Sequence, residues 1–381
     1  MRYGTRFSLA LLATGLGGAA LFAGATQAAD MAAPVAPGLQ NRSIAYVMFK
    51  EDKSIYSTHD GKQECPDGLN EGPREEYKIL FPEVPGKKYK LMDTQLAREA
   101  EIWFPGTTST NPIPFHYAVG PIAYGLNLDG KIGPNDLTSP DGEKGIDNQL
   151  QRVWGCVGMY RSGAFNVVRY DDWRKYQYNN VVIELTDVDS LENDDDVTLT
   201  TYRGLDKILT NATGSTYLDG GTQRLDMRWG KDYVRKFHGK IVNGVLLTEG
   251  AEYLMPSAGN SSSITDIRYY DTHWRLNVSP TRAEGLFAGY MDVEDWNQGT
   301  GQIRSTHHQA YDRASTASIY RAMRKMADYM PDPVTHENMA ISMATKVAFT
   351  QVFAIHPPAA VTENASPATS ATPAKADARH E

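Results

Sequence analysis

Apolar and polar positions alternate in short runs through much of the second half of the chain, and that period belongs to strands rather than helices. Val181-Val182-Ile183-Glu184-Leu185, Val197–Tyr202, Tyr233–Val242, Val245–Thr248 and Ile264–Val278 are separated by Gly, Asn and Asp turns. Asn243-Gly244 divides the third run from the fourth, and two residues that tolerate positive φ are what a tight hairpin requires. Ala283–Val293 and Lys346–Ile355 add strands, the latter alternating Val347, Phe349, Phe353 and Ile355, and Ile44–Phe49 adds one near the start. Helical spacing is rarer. Asn70–Leu80 stops at Pro82; Gly145–Val157 carries Ile146, Leu150, Val153, Trp154 and Val157. Ser315–Met330 carries Ile319, Met323, Met326 and Met330, and Pro331 and Pro333 end it.

These patterns predict an α+β protein rich in antiparallel, sandwich-like sheet, with a few helices, organised as one large or two packed domains. The change of character places an α+β region at 30–175 and a β-rich region at 176–356, the second closing with a helix and a strand. The ends read differently. Arg2 and Arg6 precede an Ala/Leu/Gly-rich run from Phe7 to Gly24, followed by Ala25-Thr26-Gln27-Ala28-Ala29. Basic start, apolar middle and small-residue exit are the pattern of a secretory signal peptide over 1–29, which directs the chain to the periplasm or beyond. No other apolar run approaches the ~20 residues of a membrane helix. Residues 357–381 are rich in Pro, Ala, Ser and Thr without an aromatic ring, the composition of a disordered tail.

Composition narrows the function. Of 381 residues, 38 are basic and 46 acidic, a formal charge of −8. That balance argues against sequence-independent nucleic-acid binding, which needs a basic stripe to displace counterions. Two cysteines exclude four-thiolate iron–sulfur and zinc sites. In an oxidising compartment, Cys65 and Cys156 are expected to pair.

Candidate chemistry begins at Gly125-Leu-Asn127-Leu-Asp129-Gly130-Lys131-Ile-Gly-Pro-Asn-Asp136. This segment resembles the twelve-residue calcium loop of EF-hand and dockerin modules. The resemblance implies side-chain ligands from Asn127, Asp129 and Asp136, a carbonyl ligand from Lys131, and the turn glycine at Gly130. It departs from the pattern at Gly125, where an Asp is usual, and at Asp136, which is shorter than the usual Glu. A second acidic turn, Asp141, Glu143 and Asp147, offers further oxygens, so calcium is the expected cofactor. The acidic run Asp187–Asp196 reads as a solvated loop.

On the strand Tyr269–Leu276, period two puts Tyr270, Thr272, Trp274 and Leu276 on one face. Tyr269, Asp271, His273 and Arg275 share the other, an acid, a base and a cation in a row. Asp292 and Glu294 would share a strand face at i, i+2, and paired carboxylates are the requirement of glycoside hydrolysis. Polar outward faces of antiparallel strands alternate in the same way without any chemistry. His307-His308 with Asp312 offers a weak metal-ligand spacing. Nucleophile-elbow, Walker and H-E-x-x-H motifs are absent from the sequence.

Two readings follow. The first is an exported, calcium-stabilised, β-rich binding or structural protein for a polysaccharide or cell-envelope partner, using some of its 21 tyrosines and six tryptophans as contact surface. The second is a secreted glycan-active hydrolase using Asp292 and Glu294, or Asp271 and His273.

Overall fold

The computed structural model of the chain describes residues 42–53, 55–58, 61–70, 83–88, 114–161, 180–228, 233–256, 266–301 and 316–357. Eight of its strands form one closed antiparallel barrel. In chain order these are β1 (Arg42–Asp52), β2 (Asn180–Val188), β3 (Asp194–Gly204), β4 (Arg235–Val242), β5 (Val245–Thr248), β6 (Ile267–Val278), β7 (Arg282–Asp292) and β8 (Asn338–Ile355). Each strand pairs with the next, and β8 returns to β1 over the register Ala45↔Val352 to Asp52↔Lys346. Closure leaves the barrel without an open edge, the usual hazard of a β-rich chain.

The expected sandwich-like sheets are therefore a single barrel. Two-period alternation fits both architectures; what separates them is the long-range β1–β8 pairing, which no local pattern encodes. Strands from both sides of residue 175 enter the same sheet. The Asn243-Gly244 hairpin forms as expected, both residues at positive φ (51° and 78°), and joins β4 to β5.

Every barrel strand sends alternate side chains inward. Tyr46, Phe237, Tyr269, Trp274, Phe287 and Phe349 are essentially inaccessible. The Trp274 ring lies 4.6 Å from Phe287, 6.0 Å from Phe349 and 6.3 Å from Phe237, centroid to centroid. An eight-stranded barrel is just wide enough for side chains to fill it, and burying each such ring stabilises by about 2–3 kcal/mol. The outer wall carries charges, among them Lys50, Arg275, Glu284 and Lys346. Among the described residues, no helix is long and apolar enough to cross a membrane.

A bulge in β6 corrects the expected face assignment. The register shifts between Tyr270 and His273, and Asp271 sits at φ 44°. One extra residue reverses the parity of the strand, so buried Tyr269 packs on Phe287 in the interior, on the side of Trp274 rather than opposite it.

Four helices are described: α1 (Leu150–Trp154), α2 (Gly158–Arg161), α3 (Val293–Gly301) and α4 (Thr316–Met326). Trp154, Val293, Trp296, Ile319 and Met323 from three of them join the barrel core. The expected helix over 145–157 is shorter, since Lys144–Ile146 is a strand and the turn begins only at Leu150. Likewise α4 stops at Met326, and Tyr329–Pro331 pairs with β8 as an edge strand. The candidate helix after Asn70, the His307-His308 pair, the signal-like segment and the tail beyond Pro357 lie outside the described residues.

Residues 114–149 form a strap across the outer face of β6, β7 and β8. Leu126 and Leu128 pack against Ala288, Tyr290, Ala340 and Ala344. Small residues on the wall admit the strap's leucines. A disulfide joins Cys65 to Cys156 just beyond α1, with Cα atoms 5.7 Å apart, as expected.

Candidate functional site

Strand register builds two rows across the outer wall of β6, β7, β8 and β1. The first reads Asn277–Glu284–Ala348–Lys50 and the second Arg275–Leu286–Lys346–Asp52. Between these rows and the strap opens a cleft of about 790 Å³, lined by Phe49, Lys50, Tyr124, Ser139, Asp141, Arg275, Asn277, Glu284 and Lys346 among others.

The strap is fastened to the wall on either side of the cleft. Arg275 makes an ion pair with Glu143 (2.7 Å) and donates to the Gly125 carbonyl (3.3 Å). Lys346 sets its ammonium 3.4 Å from the centre of the Tyr124 ring, which in turn meets Tyr56 edge-on at 6.0 Å. Phe49, displaced outward at the β1 bulge between Met48 and Lys50, has the Arg282 guanidinium 5.0 Å from its ring centre and the Tyr217 ring 5.1 Å away. Asp141 accepts from the Ser139 hydroxyl; that bond, with the Arg275 charge adding, holds its carboxyl below the usual range. The cleft thus combines two anchored rings, three cations, two carboxylates and the Asn277 amide.

The residues expected to bind calcium are hydrogen-bonded within their own loop. Asn127 donates to the Lys131 carbonyl (2.8 Å), the oxygen that was to face the metal, and Asp129 accepts from the Lys131 amide (2.8 Å). Gly145, at φ 79°, makes the first contact possible, since a Cβ there would lie 2.5 Å from both Asn127 Nδ2 and Lys131 O. Asp136 accepts from the Gly133 amide, and Asp147 from the amides of Leu128 (2.6 Å) and Asp129 (3.3 Å). Burial pushes the Asp147 carboxyl up against the pull of those amides, with the charges of Asp129 and Asp136 adding. Asp141 and Glu143 turn instead to Ser139 and Arg275, at the cleft. Among the described residues, no three His, Cys, Asp or Glu side chains come close enough to hold a metal ion. The loop closes on its own backbone.

Of the candidate catalytic residues, Asp292 and Glu294 are drawn apart while Asp271 and His273 meet. Asp292 ends β7 and caps α3, accepting at one oxygen from the amides of Glu294 and Asp295 (both 2.9 Å) and at the other from the Tyr270 hydroxyl (3.0 Å). Glu294 stands on the helix, where it accepts from the Tyr320 hydroxyl. The two carboxylates do not share a strand face, because the strand ends between them. Asp271 and His273 do meet at the bulge, 3.3 Å apart, and the other ring nitrogen of His273 lies 3.1 Å from the Thr248 carbonyl. Desolvation works to lower the His273 pKa, but these two acceptors outweigh it and hold the imidazole above its ordinary value. None of these four residues lines the cleft.

Sequence reasoning missed Lys50, Tyr124, Asn277, Glu284 and Lys346 as site residues. The one signal was Lys346, a lone cation in the apolar run Met343–Phe349. No protein-family model matches the chain, and neither the curated proteins nor the solved structures yield a significant match.

Proposed function

We propose that this chain is an exported binding protein and that its ligand, a polysaccharide or another envelope component, occupies the cleft on the outer wall of the barrel. The observation that carries the reading is the cleft itself. Its volume of about 790 Å³ lies within the range of ligand sites. Its rings are anchored by cations on their own chain, while Asn277, Ser139 and the charged groups offer the donors and acceptors that a polyhydroxylated surface requires. The barrel interior is filled with aromatic side chains, so the outer wall is the better place for a ligand. The Cys65–Cys156 disulfide supports an oxidising compartment.

The hydrolase reading draws no comparable support, since Asp292 serves as a helix cap and Glu294 is engaged by Tyr320. Co-sedimentation with insoluble polysaccharides, followed by calorimetry with soluble fragments, tests the proposal. Binding that Tyr124→Ala abolishes without unfolding the protein supports it; binding indifferent to Tyr124→Ala and Lys346→Ala contradicts it.

A further inference from the structure

Charged groups in and around the cleft are mostly engaged. Arg275 is held by Glu143, Asp141 by Ser139, and Lys346 by the Tyr124 ring. Lys50 and Glu284 differ: both are exposed, and among the described residues neither side chain has a hydrogen bond or ion pair. They stand in the same row. Ala348 pairs with Glu284 on one side and with Lys50 on the other. Two strand spacings therefore separate them, about 10 Å between backbones, and Ala348 is the only side chain of the row between them. A cation and an anion thus stand on the cleft floor without a partner among the described residues, with a methyl group between.

We propose that the cleft recognises a zwitterionic saccharide unit, one that carries a carboxylate and a free ammonium group a few ångströms apart. This rests on the cleft reading above and names the ligand's chemistry. Lys50 takes the carboxylate, Glu284 takes the ammonium, and the sugar ring lies over Ala348 within reach of Asn277 and Tyr124. A ligand of one sign would satisfy one end and leave the other as it was. A dipolar ligand of matching orientation engages both through charge-assisted hydrogen bonds. Reversing the orientation opposes like charges, so the pair also fixes direction.

The experiment is calorimetry of the full mature chain with four soluble probes: muramic acid (both charges), N-acetylmuramic acid (anion), glucosamine (cation) and N-acetylglucosamine (neither). The expected order puts muramic acid first, about tenfold or more above N-acetylglucosamine, since a hydrogen bond to a charged group is worth at least one decade. Lys50→Gln should remove the advantage of the two carboxylated probes and leave glucosamine unchanged, while Glu284→Gln does the converse. Both residues are exposed, so both variants fold. Equal affinity for all four probes, or affinities that neither variant alters, overturns the proposal while leaving the cleft reading in place. Failure of all four to bind also overturns it. Polymeric glycan, whose retention Tyr124→Ala removes or does not, then judges the cleft separately.

Discussion

The ammonium of Lys346, on the last strand of the barrel, lies 3.4 Å from the centroid of the Tyr124 ring on the strap. With the Arg275–Glu143 pair it fastens the strap to the wall, and the space left between the two fastenings is the cleft. Lys346→Met keeps the aliphatic stem and removes only the cation. The expected cost is about 0.5–2 kcal/mol of stability, the range of a cation–π contact at a partly buried site. Urea titration measures it, and a variant as stable as the parent would show that the contact does not hold the strap.

Cys65 and Cys156 are 91 residues apart, and the bond ties the segment before the strap to the chain just beyond α1. Replacing both by serine should lower stability by about 4–5 kcal/mol on the chain-entropy account. Thiol titration of the denatured, unreduced protein should find no free thiol. Two free thiols in the purified, unreduced protein would contradict the pairing.

Asp328 provides a pH signature. The residue is exposed at the surface, yet its carboxylate is turned onto Ser342, accepting from the backbone amide (2.7 Å) and the hydroxyl (2.6 Å). Burial among neighbouring groups outweighs those bonds and pushes its pKa up to about 6. A carboxyl with a raised pKa holds its proton more tightly folded than unfolded. Its contribution is therefore full below about 4, the unfolded value, and is lost as pH rises through 6. The Asp328 contribution should therefore fall between pH 4 and 6, and Asp328→Asn should remove that component of the slope. An unchanged slope in the variant would assign the pH dependence elsewhere.

The hydrogen-bonded loop at 127–147 puts the calcium expectation to a direct test. Its oxygens accept from Lys131, Gly133, Leu128 and Asp129 amides and from Asn127. A melting temperature that chelator leaves unchanged would mean that these hydrogen bonds alone close the loop. A drop in Tm, restored by millimolar calcium, would show that the loop rearranges to take the ion, because a ligand bound by the folded state alone stabilises it by mass action.

The strands were legible because their signal is local: alternation in Val181–Leu185 or Val197–Tyr202, and Asn243-Gly244 between two runs. The closure of the barrel was not, because Ala45 and Val352 meet only in three dimensions. Parity failed at Asp271, where a single residue at positive φ turns Tyr269 inward. Glu294 was misplaced for a more instructive reason. Asp292 followed by Glu294 and Asp295 is a helix start, an acceptor at the cap with acids in the first turn, and that signal was present in the sequence but outweighed by the strand pattern before it. The cleft was not legible as one site, although Asp141, Arg275 and Lys346 each stood out singly. Tyr124, Glu284 and Lys346 belong to a strap and two strands that only the fold brings together.

The most direct test of the outer cleft as ligand site is to titrate the protein with a soluble glycan fragment that it binds and to follow the backbone amide resonances. The account predicts shifts concentrated at Lys50, Tyr124, Asp141, Glu284 and Lys346. Shifts confined to α3 and the Asp292–Glu294 turn, with the cleft silent, would contradict it.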